Sequence, residues 1–169
     1  MTQRIEYGDD MIQNKNECRD GGPGMMPATP KACGRTRVLV AEDDDQLRRF
    51  LVKVLSAHEY APVECHDGFE LFQHLQPFAE HGAVPDFDAI ISDILMPGPT
   101  GLEILEDLHD RPGFPPMILI TGYGDAGVYE RARKAGAFAV LDKPFGIGEL
   151  LGKLHEIPQS PCRSGMNGK

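Results

Sequence analysis

Four consecutive acids, Glu42, Asp43, Asp44 and Asp45, stand between the apolar run Val38–Ala41 and an amphipathic stretch. Like charges crowded into one small volume repel and raise one another's pKa, so such a quartet expects a cationic partner. Its chemistry is that of a metal site or of phosphate handling. Three further polar residues stand at the ends of apolar runs: Asp93 after "DAIIS", Thr121 closing "MILIT", and Lys143 after the run near 138–142. A carboxylate can act as nucleophile toward a phosphoryl group when cations offset the charge on the transferring oxygens. Whether these residues cooperate depends on the elements that carry them.

From Arg37 onward, apolar runs alternate with helical patterns. Strands are predicted near 37–41, 60–65, 88–92, 116–120 and 138–142, and helices near 46–58, 68–76, 100–110, 125–135 and 147–157. In the first helix, Leu47, Phe50, Leu51, Val54 and Leu55 repeat at the spacing of a core-facing stripe, and Asp44 or Asp45 can cap its start. "RVLVA", "DAIIS" and "MILIT" are continuous rather than alternating, as strands covered on both faces should be. Right-handed crossovers then give an α/β fold, a doubly wound parallel sheet of five βα units in the order 2-1-3-4-5.

Ligands of such sheets sit at the carboxyl ends of the strands, beside the switch point between the first and third. That topology gathers Glu42, Asp43, Asp93, Thr121 and Lys143 at one mouth. Three carboxylates, Glu42, Asp43 and Asp93, make the oxygen-rich setting that Mg2+ prefers, with Mn2+ as the alternative ion. Lys143 adds a second positive charge, Thr121 a hydroxyl donor, and Gly122 leaves the approach to Asp93 open.

Between Val38 and Ile157 these residues resemble the receiver domains of two-component response regulators, a flavodoxin-like fold. In "DAIISDILMPGPTGLEIL", Asp93 is followed by Met96, Pro97 and Gly101 at the family's D-x-x-M-P-x-x-x-G spacing. "ED", "ITG" and "DKPF" close the first, fourth and fifth strands in the family's order. The resemblance implies that Asp93 takes a phosphoryl group from a phosphohistidine on a sensor histidine kinase or histidine phosphotransfer protein. It implies that Asp43 holds the metal directly, Glu42 through water, and Leu95 through its backbone carbonyl. Thr121 and Lys143 would bind the phosphoryl oxygens, and Lys143–Pro144 looks like the family's often cis Lys-Pro bond. Such a chain modifies itself rather than turning over a substrate, and it reaches a downstream protein through the face around its fourth helix. Two positions depart from the pattern: Glu42 stands in place of aspartate, lengthening one arm of the acid pair, and Val140 stands where the family usually has an aromatic switch residue that moves with Thr121. Leu95 and Tyr123 offer no carboxamide or carboxylate to orient water, so we expect a long-lived phosphoryl state.

Other readings fit less well. Gly122-x-Gly124-x-x-Gly127 after a strand imitates a dinucleotide fingerprint, but one strand and one helix remain where further βαβ units are needed. "DDDQL" approaches the nucleophile motif of haloacid dehalogenase-type phosphohydrolases, with leucine where that motif ends in threonine or valine. A receiver-like module independent of phosphate would not need Asp43, Asp93, Thr121 and Lys143 together.

The 169 residues carry a net charge of -9, which argues against direct nucleic-acid binding, and 41% are apolar, enough for one core. Cys18, Cys33, Cys65 and Cys162 form no C-x-x-C pair, so zinc is not expected and Cys65 reads as a small buried hydrophobe. No signal peptide or membrane span is legible, and a cytoplasmic protein is expected. Residues 1–35 have neither strand nor helix period and are expected to be a disordered leader, with the receiver over 36–157 and a short flexible tail over 158–169. No output domain is expected, which would make the protein a stand-alone receiver. Nothing in the sequence specifies an oligomeric state.

Overall fold

The computed structural model describes residues 35–82, 85–122 and 124–158. Apart from Arg35 and Pro158, the expected leader and tail lie outside them. Five parallel strands alternate with five helices: β1 (Arg37–Ala41), α1 (Asp45–Ala57), β2 (Ala61–Cys65), α2 (Gly68–His81), β3 (Ala89–Asp93), α3 (Gly101–Leu108), β4 (Met117–Thr121), α4 (Ala126–Lys134), β5 (Ala139–Asp142) and α5 (Ile147–Glu156). The sheet order is β2-β1-β3-β4-β5, as expected. Among the described residues no helix is long and apolar enough to cross a membrane.

The continuous apolar runs serve two cores. Leu39 of β1, Ile90 of β3 and Leu119 of β4 pack with Leu71 and Leu75 of α2, Leu105 of α3 and Ala132 of α4. Their neighbours Val38, Val40, Ile91 and Ile118 point the other way, to Leu51 and Leu55 of α1 and Leu150 and Leu154 of α5. Successive strand side chains alternate between faces, so a strand covered on both sides must be apolar throughout. β2 stands at an edge and is less buried, and there Pro62, which has no N–H to donate, faces no neighbouring strand on its outer side.

Three local expectations need correction. The apolar pattern of α2 breaks at Pro77, yet the helix runs on to His81, where Gly82 closes it in the left-handed region at φ 62°. Its final turn buries Phe78 against Phe114, with ring centroids 5.9 Å apart, and that packing outweighs the hydrogen bond proline cannot make. Phe50 is 49% exposed rather than in the core, and Arg48 occupies the buried face of α1. β3 and β4 each end one residue past the predicted 88–92 and 116–120, so Asp93 and Thr121 are the last residues of their strands. Of the two expected caps of α1 it is Asp44 that serves, as the sequence allowed, its Oδ1 accepting from the Gln46 and Leu47 amides at 2.8 and 3.0 Å.

Cys65 is fully buried, and burial pushes its thiol from an ordinary 9.0 up to about 12. Because the folded value is the higher one, this contribution to stability is intact below pH 9 and is lost as pH rises toward 12. At pH 8 we expect Cys65 to resist thiol reagents until the chain unfolds, read from the mass of its peptide. Modification of Cys65 as fast as a free thiol in native conditions would contradict this burial.

Candidate functional site

The carboxyl ends of β1, β3, β4 and β5 meet as the topology requires. Glu42 and Asp43 leave β1, Asp93 ends β3, Thr121 ends β4 and Lys143 follows β5. One carboxylate oxygen from each of Glu42, Asp43 and Asp93 lies within 4.8 Å of the others. Glu42 and Asp93 are buried at 1% and 6% exposure, and Asp43 is open to solvent. Lys143 Nζ donates to Asp93 Oδ2 and, at 2.9 Å, to Glu42 Oε1. The second oxygen of Asp93 accepts from the Leu95 amide at 2.9 Å, so both are oriented.

Charge and burial oppose each other here. Burial raises the Glu42 carboxyl above its ordinary range, the hydrogen bond from Lys143 pulls it back, and the Asp93 charge pushes it up again. For Lys143, burial favours the neutral amine, but the hydrogen bonds and charges of Asp93 and Glu42 together hold the ammonium above its ordinary value. Glu42 Oε2 sits 2.9 Å from the same ammonium outside hydrogen-bonding geometry and, buried, has no hydrogen-bond partner. A buried carboxylate oxygen left unsatisfied among three acids fits a hard divalent cation or the water it carries.

The remaining predicted residues fall around this centre. Thr121 is buried, and its carbonyl accepts from the Lys143 amide at 2.7 Å, joining β4 to the lysine's own backbone. The Lys143–Pro144 bond is cis. Leu95 is 57% exposed beside Asp93. A Cβ on Gly122 would meet nothing within 4 Å, so the mouth is open on that side. Pro97 accepts from the Gly68 amide at 2.9 Å, tying the loop after β3 to the start of α2. Gly101 begins α3 directly against Ser92 and Asp93, where a Cβ would stand 2.4 Å from Ser92 Oγ. Val140 is half-buried against the α2–α3 core. Tyr123 lies outside the described residues.

The sequence reading passed over two residues. Tyr129 of α4 donates its hydroxyl to Asp142 of β5, and that hydrogen bond holds the phenol above its ordinary pKa. Arg48 is charged yet buried. Its signal was present, since position 48 precedes Leu51 and Leu55 by three and seven residues and therefore shares their face. Asp45 pairs with Arg48 and Arg49, which engages its carboxylate with α1's own arginines rather than in a nucleophile pair with Asp43.

A family model for the response regulator receiver domain matches residues 38–155. The chain is 34% identical over 128 residues to the C4-dicarboxylate transport transcriptional regulatory protein DctD of Pseudomonas aeruginosa, spanning 75% of this chain and 26% of that protein. It is 34% identical over 116 residues to the transcriptional regulatory protein FixJ of Azorhizobium caulinodans, spanning 68% of this chain and 51% of that one. The match thus covers about a quarter of the first of these curated relatives and about half of the second. Among solved structures, the Vibrio cholerae chemotaxis protein CheY4 superposes with a TM-score of 0.62 at 27% identity, over 74% of this chain and 100% of that chain. A CheY-like receiver domain protein from Methanospirillum hungatei does so with 0.63 at 25% identity, over 73% and 93%. Fold, strand order and family model agree over the segment that carries the acidic mouth, and the chain belongs to the response regulator receiver domain family of two-component signalling.

Proposed function

We propose that this receiver accepts a phosphoryl group on Asp93 from a phosphohistidine of a sensor kinase or histidine phosphotransfer protein and signals through protein contacts. The observation that carries the reading is the shared geometry of Asp93, held by Lys143 on one oxygen and by the Leu95 amide on the other, with Glu42 and Asp43 alongside. Oriented this way, a carboxylate oxygen of Asp93 bonds to phosphorus while the P–N bond to the donor histidine breaks. The freed imidazole keeps the electron pair and takes a proton.

Asp43 and Asp93 would hold Mg2+, with Glu42 acting through water and the Leu95 carbonyl completing the protein's share. When bound, Mg2+ offsets the negative charge that builds on the transferring oxygens. Lys143 pairs with one of those oxygens after exchanging its hold on Asp93, and the Thr121 hydroxyl donates to another. Beside the mouth lies an apolar depression of about 460 Å³, lined by Leu47, Phe50, Phe145 and Ile147 and reaching Lys143. Half-exposed Phe50 suits a helical face of the donor protein there.

Intact mass after incubation with Mg2+ and acetyl phosphate tests this reading. One phosphoryl adduct is expected on the parent, absent from Asp93→Asn, abolished by chelator and still present minutes after the donor is removed. An equal adduct on Asp93→Asn places the acceptor elsewhere, and loss of the adduct within seconds removes the expectation of a long-lived state.

A further inference from the structure

Arg48 is 2% exposed, on the α1 face that also buries Leu51 and Leu55. A guanidinium in that position is unfavourable unless its N–H groups are met. Nη1 donates to the Glu42 backbone carbonyl at 2.7 Å, and Nη2 donates to the Asp45 carboxylate. Nε faces Glu64 of β2 at 3.4 Å without completing a hydrogen bond. One side chain thus joins the first turn of α1, the edge strand and the peptide that links Glu42 to Asp43.

That peptide is the point of interest. Its carbonyl belongs to Glu42 and its amide to Asp43, so holding the carbonyl fixes the plane from which the Asp43 side chain departs. Asp43 is solvent-exposed, and packing does little to aim it. Residues that orient metal ligands from outside the first coordination layer commonly change affinity by an order of magnitude when removed.

We propose that Arg48 is a positioning residue for the metal-holding acid pair, acting through the Glu42–Asp43 peptide. This rests on the functional reading above. Two simpler roles for Arg48 predict different results. A guanidinium acting only through its charge repels a divalent cation, so removing it tightens metal binding. One acting only on stability lowers the unfolding midpoint and leaves the affinity of folded molecules unchanged.

The test titrates Mn2+, the spectroscopic stand-in for Mg2+, into the full chain and its Arg48→Met and Arg48→Lys variants, following free Mn2+ by electron paramagnetic resonance. Circular dichroism sets a temperature at which each is folded. We expect the Mn2+ dissociation constant to rise about tenfold in Arg48→Met. Arg48→Lys keeps the charge but cannot span the carbonyl and Asp45 together, and a rise of at least threefold is expected. Phosphoryl adduct formation should fall at low Mg2+ in both variants and recover at saturating Mg2+. Should Arg48→Met fail to fold, the lysine variant decides alone. Affinity equal to or tighter than the parent's overturns the positioning role while leaving the functional reading standing. A parent that neither binds Mn2+ nor takes up a phosphoryl group overturns both.

Discussion

Replacing Lys143 by methionine is expected to slow phosphoryl uptake at Asp93 by about 100–1,000-fold, the loss usual when one preorganised donor to a developing oxyanion is removed. The ammonium donates to Asp93 and to Glu42, both buried, and their charges keep it protonated well past neutral pH. Its raised folded-state value means that its contribution to stability is present at neutral pH and is lost only as the pH climbs above the ordinary lysine range. Methionine keeps the length and removes the charge. Two buried carboxylates then face each other with no cation, so the metal-free variant should also unfold more easily than the parent. Metal binding should move the opposite way and tighten, because a competing cation has left. Time courses of the intact-mass adduct with acetyl phosphate read the first effect. A rate within tenfold of the parent would show that Lys143 only stabilises the resting pocket.

The second large effect is structural. Gly101→Ala places a Cβ 2.4 Å from Ser92 Oγ and 2.5 Å from the Asp93 carbonyl oxygen. These two groups cannot separate cheaply, since Ser92 Oγ donates to that same carbonyl at 2.8 Å. α3 is equally committed: Thr100 accepts from the Glu103 amide at 3.1 Å, and Glu103 accepts from the Thr100 amide at 2.8 Å. Helix and strand must move apart, at a cost of about 1–3 kcal/mol and a thermal midpoint lower by about 5–10 °C. Phosphoryl uptake should fall with it, because the displaced backbone is that of Asp93. Gly148→Ala is the control, since a Cβ there meets nothing within 4 Å and alanine is the better helix former. It should melt at or above the parent. Gly101→Ala melting as high as Gly148→Ala would mean that the β3–α3 approach is looser than drawn.

Much of the fold and of the acidic mouth is legible in the sequence. Apolar runs such as "MILIT", covered on both faces, dictate parallel strands, and parallel strands joined by helices dictate which strand ends meet. The convergence of Glu42, Asp43, Asp93, Thr121 and Lys143 is therefore a property of topology, which periodicity reports well. What periodicity reports poorly is the fate of single side chains whose partners are tertiary. Phe50 fits the apolar stripe yet faces solvent beside Lys143, and Arg48 breaks the stripe yet is buried because a carbonyl and two acids await it. Pro77 stops a helix by local rules, and the Phe78–Phe114 contact, set by chain distant in sequence, carries it on.

If the pocket holds a cation as proposed, the pairing of Lys143 with two acids also bears on that ion's valence. When Glu42, Asp43 and Asp93 are ionised, the single ammonium leaves two negative charges uncompensated. A divalent ion makes that balance neutral, a potassium ion leaves a deficit and a lanthanide overshoots. In a partly buried site, where each unbalanced charge is expensive, the lysine would thus filter ions by charge, beside the phosphoryl-binding role proposed for it.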